Sequence, residues 1–238
     1  MTLVFIHGSG DNSHIWRLQM EQFGKGQALA LDLPGHGERA DTFPAEVMIQ
    51  DYAQAVYQII KDELKVERPI IVGHSLGGAI ALMMALEHGD ELCGLILMGT
   101  GARLRVHPTL LTEALEFPDR AQRHLVEVAV LPEHISTVTE AILEDQGTPK
   151  AGILYRDLKA CDLFDITSRL HEITVPTLIL CGHEDKLAPP KYSQFLAEKL
   201  IGVKQGTTLR IIPAAGHYVM REQAENVNGA IAGWLASI

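Results

Sequence analysis

The first hundred residues alternate short apolar runs with longer segments in which apolar residues recur at helical spacing. This alternation restricts the fold more than any other feature. Strands that are apolar on both faces become buried only when helices cover both sides of a parallel sheet. The runs predict strands at 3–6, 28–31, 70–72 and 95–98, and the segments between them predict helices at roughly 13–23, 49–64 and 76–88.

Strand signals disappear between residues 101 and 172. Helical segments interrupted by prolines replace them, at Pro108, Pro118, Pro132 and Pro149. Strand patterns then return at 177–180 and 208–212, with helices expected at 191–200 and 221–235. We therefore expect an α/β protein whose core is formed by residues 1–100 and 173–238, with residues 101–172 inserted as a helical cap.

Charge and composition exclude several classes of function. The 238 residues contain 20 Lys and Arg against 30 Asp and Glu, a net charge of −10 that would repel a nucleic-acid backbone. The longest apolar stretches are far shorter than the roughly 20 residues of a membrane helix. The apolar residues 1–6 have neither the basic start nor the cleavage site of a signal peptide, so we expect a cytoplasmic protein with no membrane partner.

The strongest chemical signal is the segment Gly73-His74-Ser75-Leu76-Gly77-Gly78, which lies between an apolar strand and a helix. An abrupt turn from strand to helix forces its middle residue into strained backbone geometry, and the flanking glycines let strand and helix approach closely. The Ser75 hydroxyl is then exposed as a nucleophile, and the N–H of Leu76 is free to bind a developing oxyanion. The alternative is that Ser75 only caps the following helix.

Two further motifs precede this one in the chain, His7-Gly8-Ser9-Gly10 after the first strand and Asp32-Leu33-Pro34-Gly35-His36-Gly37 after the second. With these three motifs in order, the sequence resembles the α/β-hydrolase family over nearly its whole length. The resemblance implies that the N–H of Ser9 supplies the second oxyanion donor. It also implies an acid at Asp185, in the loop after the strand that follows the cap, and a histidine at His217 after the last strand.

Ser75, Asp185 and His217 follow three predicted parallel strands, whose carboxyl ends share one edge of a sheet. His217 is expected to accept the Ser75 proton and return it to the leaving group, while Asp185 orients the imidazole. This chemistry needs no metal and no cofactor. Glu184 is the nearest alternative for the acid, although neighbouring side chains point in different directions.

Other polar residues near these motifs have simpler interpretations. Three histidines are expected to anchor loops through hydrogen bonds to the backbone, and Asp32 to hold its own turn. Arg103 and Arg105 could meet an anionic substrate at the cap entrance, but exposed arginines are usually only solvated. The three histidines are His7, His36 and His74.

The sequence therefore predicts a serine hydrolase, a carboxylesterase first of all, that cleaves a small or medium ester, thioester or lactone. The resemblance also allows cleavage of a carbon–carbon bond in a diketone, or a non-catalytic receptor for a small molecule on the same fold. Dehalogenases and most epoxide hydrolases of this fold carry an aspartate where this chain has Ser75. We expect the cap to select the acyl group and to affect reactivity less.

The chain departs from the family pattern at its start. Members of the family usually begin with two further strands, whereas here Met1 stands six residues before His7. We therefore expect six parallel strands with 28–31 at the rim. Because an unpaired edge invites association, we expect either a dimer joined there or a monomer in which the loops 24–26 and 39–44 cover the edge. The covered monomer is favoured.

Overall fold

The computed structural model describes residues 1–24, 26–203 and 206–238. Its central feature is a six-stranded sheet in the order β2-β1-β3-β4-β5-β6, and every neighbouring pair is parallel. The sequence prediction of six parallel strands is confirmed. The strands are β1 (Leu3–Ile6), β2 (Ala28–Leu31), β3 (Ile70–His74), β4 (Gly94–Met98), β5 (Thr177–Gly182) and β6 (Thr207–Ile212).

Helices connect the strands as right-handed crossovers require for a parallel sheet. Short 3-10 or π-helical segments precede or extend several of them, notably Ser13–Trp16 before α1 and Ile59–Leu64 after α2. The α-helices are α1 (Arg17–Phe23), α2 (Ile49–Gln58), α3 (Leu76–His88), α4 (Pro108–Glu116), α5 (Pro118–Ala129), α6 (Glu140–Gln146), α7 (Ile153–Leu163), α8 (Pro190–Lys199), α9 (Val219–Glu222) and α10 (Ala224–Leu235).

Side chains that alternate along the strands build a separate core on each face of the sheet. In β1, Val4 packs in the cluster formed with α2 and α3, whereas Phe5 packs in the opposite cluster with α10. Both side chains are fully buried. Because successive residues of a strand point to opposite faces, a strand covered by helices on both sides is apolar throughout. The continuous apolar runs of the sequence have this cause.

Several helices differ from the sequence prediction in detail. The expected helix 221–235 is divided at Gln223, whose backbone leaves the helical region at φ −134° and ψ 51°. The expected helix 49–64 changes from α to π geometry at Ile59. The strand bounds differ from those predicted by two residues or fewer, so the differences do not alter the order or direction of the strands.

The connection from β4 to β5 contains α4 to α7, in agreement with the helical pattern predicted for 101–172. Pro108 and Pro118 stand at the first positions of α4 and α5 rather than inside them. A proline at this position loses no hydrogen bond, since the first N–H groups of a helix have no partner within it. Pro108 and Pro118 therefore mark where α4 and α5 begin.

Strand β2 lies at one edge of the sheet and pairs only with β1 among the described strands. The prediction that 28–31 forms the rim is confirmed. Residues 39–44 are described, but Lys25, within the other loop expected to cover this edge, lies outside the described residues. The covered monomer stays a prediction.

None of the helices in the described ranges combines the length and the apolar character needed to cross a membrane.

Candidate active site

Ser75 occupies a sharp turn between the end of β3 and the start of α3. Its backbone has φ 51° and ψ −113°, which a non-glycine residue adopts only under strain. The flanking glycines are required by close packing, since a Cβ atom on Gly73 would lie 2.1 Å from the carbonyl oxygen of Gly77. A Cβ atom on Gly77 would lie 2.3 Å from the carbonyl oxygen of Ile6. The Ser75 side chain makes no capping bond to α3, which argues against a capping role.

His217 and Asp185 form a buried hydrogen-bonded pair. Nδ1 of His217 lies 2.8 Å from Oδ2 of Asp185, and only 4% and 3% of the two residues is exposed. The other carboxylate oxygen of Asp185 accepts the backbone N–H groups of Leu187 at 2.9 Å and Ala188 at 2.8 Å. The carboxylate is therefore held in a fixed orientation toward the imidazole, and Nε2 of His217 is left for another partner.

Glu184 faces away from this pair. Its Oε2 atom accepts the backbone N–H of Ala215 at 3.3 Å, and its Oε1 atom lies 3.1 Å from Nδ1 of the exposed His183. The two neighbouring side chains thus have different partners, as the sequence predicted. The geometry favours Asp185 over Glu184 as the acid.

Burial lowers the pKa of His217, but the charge and hydrogen bond of Asp185 outweigh burial and raise the pKa above its usual value. Asp11 and Glu222 add smaller effects in the same direction. Burial also raises the pKa of Asp11 to about 6. The imidazole is consequently a stronger base than a free histidine.

Ser75 and His217 line the same cavity of about 240 Å³. Its walls are largely apolar, and Leu110, Leu125 and Leu158 bring α4, α5 and α7 to it. The exposed side chains of Arg105 and Lys186 also line it. The cavity suits a small, mostly apolar group held next to the Ser75 hydroxyl.

Ser9 and Leu76 both lie beside Ser75. Ser9 lines the cavity, and Leu76 is the first residue of α3. The N–H groups of Gly78 and Ala79 already donate to the carbonyl oxygen of Ser75, so the N–H of Leu76 precedes the helical ladder. That these two N–H groups bind the oxyanion stays a prediction.

The other motif histidines bind backbone groups, as the sequence analysis predicted. His7 receives the N–H of Leu33 on Nε2 at 3.1 Å, and burial lowers its pKa to about 3. His74 donates from Nε2 to the carbonyl oxygen of His217 at 3.0 Å. The imidazoles of His7 and His74 are therefore neutral, and they hold the loops around Ser75 in place through hydrogen bonds to the backbone.

His36 and Asp32 also have structural partners. His36 contacts the carbonyl oxygen of Pro34 at 3.2 Å, but its other ring nitrogen binds a carboxylate that the sequence analysis did not identify. Asp32 receives the N–H of Glu38 at 3.2 Å, within its own turn, and that of Ser13 at 2.7 Å.

The missed carboxylate belongs to Asp157, which lies on α7 and is completely buried. Its neighbour Arg156 is buried too and binds both carboxylate oxygens of Asp41, at 3.0 and 2.9 Å. One signal for Asp157 was present in the sequence. The acid stands among Leu154, Leu158 and Cys161 on one helical face, where a charge is costly without a partner.

The chain is similar to known proteins over almost its whole length. The profile of the family described as "Alpha/beta hydrolase family" matches residues 3–230. The chain is 29% identical to a pimeloyl-[acyl-carrier protein] methyl ester esterase of Neisseria meningitidis, over 94% of this chain and 73% of the relative.

Two solved structures extend the comparison. A thermophilic esterase has a TM-score of 0.81 and 30% identity, with 99% of this chain and 90% of the other covered. Est816, described as an N-acyl homoserine lactone degrading enzyme, has a TM-score of 0.83 and 26% identity, with 98% and 92% covered.

Proposed function

The chain belongs to the alpha/beta hydrolase family, and from this premise we propose that it hydrolyses a small or medium carboxylic ester through an acyl-enzyme on Ser75. The observation that carries the proposal is the common cavity of Ser75 and His217, together with the 2.8 Å contact between His217 and Asp185. A nucleophile, a base and a group that orients the base are the elements of serine catalysis. Similarity to a methyl ester esterase and a thermophilic esterase supports an ester as substrate.

In the proposed reaction, Oγ of Ser75 attacks the ester carbonyl carbon while Nε2 of His217 takes the hydroxyl proton. The carbonyl oxygen becomes an oxyanion that accepts the N–H groups of Ser9 and Leu76, each worth roughly 3 kcal/mol in the transition state. The carbon–oxygen bond then breaks, and the alcohol leaves with the proton from His217. Water repeats these steps on the acyl group and releases the acid. Asp185 holds the imidazole and stabilises its cation.

Residues 101–172 are proposed to act as a cap on a core of residues 1–100 and 173–238. Support comes from α4, α5 and α7, each of which contributes a leucine to the cavity wall. The cap would then select the acyl group by shape. Thioesters and lactones fit the same mechanism, and similarity to a lactone-degrading enzyme keeps lactones among the candidate substrates. Carbon–carbon bond cleavage and a receptor role stay as alternatives.

We expect steady turnover of 4-nitrophenyl acetate, butyrate and hexanoate, since an acyl-enzyme beside a water-accessible cavity is hydrolysed. The measurement is release of 4-nitrophenol followed over many enzyme equivalents. A cavity of about 240 Å³ should favour short and medium chains over palmitate. A receptor would release at most one equivalent of nitrophenol per chain, and that outcome would refute the enzymatic proposal.

The pH dependence follows from the raised pKa of His217. Only the neutral imidazole can accept the Ser75 proton, so kcat/KM should rise with pH and reach half its maximum above about 6.5. Protonation of Asp11, with a pKa of about 6, removes a nearby negative charge and should broaden the rise. A rate profile measured from pH 5 to 9 checks this. Activity that is flat or falls between pH 6 and 8 would contradict the assignment of His217.

A further inference from the structure

The Asp157 carboxylate connects the cap helix α7 to three separate parts of the core. Its Oδ2 atom accepts the backbone N–H of Gly10 at 2.9 Å and lies 2.8 Å from Nε2 of His36. Its Oδ1 atom accepts the hydroxyl of Tyr52 at 2.5 Å. Gly10 follows β1, His36 lies between β2 and α2, and Tyr52 belongs to α2. One buried side chain therefore fixes three elements that are distant in sequence.

A fully buried carboxylate is costly unless it is paired and hydrogen-bonded. His36 supplies the positive charge, because both of its ring nitrogens face acceptors, Pro34 O on one side and Asp157 on the other. Burial lowers the pKa of His36, but Asp157 outweighs burial and raises the pKa above its usual value. The pair is thus a buried ion pair with both members satisfied.

One face of α7 packs on the loop that follows β1. Besides the bond from Asp157 to Gly10, Sγ of Cys161 lies 3.7 Å from Oγ of Ser9. Leu154 is close as well, since a Cβ atom on Gly10 would lie 3.0 Å from its Cδ1 atom. Residues at positions i, i+3 and i+7 share one side of a helix, so Leu154, Asp157 and Cys161 contact Ser9 and Gly10 together.

Gly10 has φ +70°, a backbone conformation that few non-glycine residues adopt. The bond from its N–H to Asp157 fixes the peptide plane that joins Ser9 to Gly10. The Ser9 N–H lies in the preceding peptide plane, whose Gly8 carbonyl oxygen accepts the N–H of Asp11 at 3.3 Å and lies 2.8 Å from Nδ1 of His7. With the planes on both sides of Ser9 held, the Ser9 backbone can rotate little, and the direction of its N–H is set. Rotation of this N–H by a few tens of degrees would weaken its bond to an oxyanion.

We infer that Asp157 is a positioning residue that aims the Ser9 N–H at the substrate oxyanion from the cap. The inference rests on the proposed function, in which Ser9 is an oxyanion donor. It assigns α7 a second task besides lining the acyl cavity. The rate of reaction then depends on a side chain that does not contact the substrate.

The test compares Asp157→Asn with Tyr52→Phe. The asparagine variant removes the charge and leaves a single neutral amide oxygen, a weaker acceptor than a carboxylate, so the bond to Gly10 is weakened. The phenylalanine variant removes a bond to Oδ1 of the same carboxylate, not to the Oδ2 atom that accepts the N–H of Gly10, and serves as the matched control. Measurements are kcat and KM for 4-nitrophenyl butyrate, the inhibition constant of an alkyl trifluoromethyl ketone and the midpoint of thermal unfolding. The ketone forms a hemiketal with Ser75 whose oxyanion needs the same donors.

For Asp157→Asn we expect kcat to fall roughly 10- to 100-fold, with KM changed less than about threefold and ketone affinity reduced in parallel with kcat. For Tyr52→Phe we expect kcat within about threefold of the original, whatever its loss of thermal stability. Normal kcat and ketone affinity in Asp157→Asn would overturn the inference. The inference would also be overturned if both variants lost kcat equally and in proportion to their loss of thermal stability. Asp157 would then have only a structural role.

If Asp157→Asn does not fold, Asp157→Ser is the second variant, because it leaves no buried charge and His36 can become neutral. The same losses of kcat and ketone affinity are expected, and their absence would overturn the inference. Labelling of Ser75 in the unmodified protein by a fluorophosphonate separates this test from the proposed function. Without labelling and turnover the proposed function fails, whereas normal labelling together with unchanged kcat and ketone affinity in Asp157→Asn rejects only the role of Asp157.

Discussion

Replacing Ser75 with alanine is expected to lower ester hydrolysis by roughly 10⁴-fold or more, because alanine has no oxygen to attack the carbonyl carbon. The fold should be retained. The Ser75 side chain makes no capping bond to α3, and the strained backbone at φ 51° is determined by close packing at Gly73 and Gly77. Initial rates with 4-nitrophenyl butyrate measure the loss, and circular dichroism checks the fold.

One fluorophosphonate should attach to each molecule of the unmodified protein, as measured by intact mass. Proteolysis and peptide mass spectrometry should then locate the adduct on Ser75. Ser75→Ala should take up none. Ser168→Ala is the control, since Ser168 is exposed, and it should retain both labelling and activity. If Ser75→Ala keeps more than a few percent of the activity, the nucleophile is another residue and the proposed mechanism is wrong.

Asp185→Asn is expected to lower kcat by about 10²- to 10⁴-fold, with little change in KM. The carboxylate accepts the Nδ1–H of His217 at 2.8 Å and leaves Nε2 unprotonated to act as the base. Asparagine can present an amide hydrogen instead, which favours the wrong tautomer and does not stabilise the imidazolium. Steady-state kinetics of purified variants measure the effect.

Glu184→Gln is the matched control and is expected to keep kcat within about threefold, since Glu184 binds the N–H of Ala215 and not His217. His217→Ala should lose about as much activity as Ser75→Ala. Combining Asp185→Asn with Ser75→Ala should add little, because residues that act as one unit do not contribute additively. If Glu184→Gln loses most of its kcat and Asp185→Asn loses little, the acid that orients His217 is Glu184 and not Asp185.

Most of the sheet could be predicted because the strands β1 to β5 are short and largely apolar on both faces, so each appears in the sequence as a nearly continuous run. The sharp turn at Ser75 could be predicted because its requirements are local. Gly73 and Gly77 approach backbone atoms within a few residues or on the adjacent strand β1, and this crowding leaves no room for a side chain. Local requirements of this kind appear as motifs.

The contacts of Asp157, in contrast, join residues that are far apart in the sequence. Its partners Gly10, His36 and Tyr52 lie 147, 121 and 105 residues away. Gly10 and His36 belong to motifs, but nothing in those motifs indicates a partner on α7. Only packing of α7 against the core brings them together. Periodicity could mark Asp157 as a charge on an apolar helical face, but could not identify its partners.

The division at Gln223 was missed for a similar reason. The apolar pattern continues through it, whereas the backbone turns so that Nε2 of Gln223 reaches the carbonyl oxygen of Ala214 at 2.9 Å. That contact is set by the fold and not by helix propensity.

The contacts of α7 also determine how this protein could be redirected to new substrates. Leu110 and Leu125 line the cavity from α4 and α5 and can be randomised in a mutant library to reshape the space that we propose for the acyl group. Leu158 lines the cavity as well, but it lies on α7 beside Asp157. Replacing residues 101–172 with the corresponding segment of another hydrolase would change two things together. It would change the residues that line the cavity, and it would remove the contact of Asp157 with the loop after β1. A graft that keeps an acid at position 157 opposite His36 should therefore yield more active chimeras than one chosen by cavity shape alone.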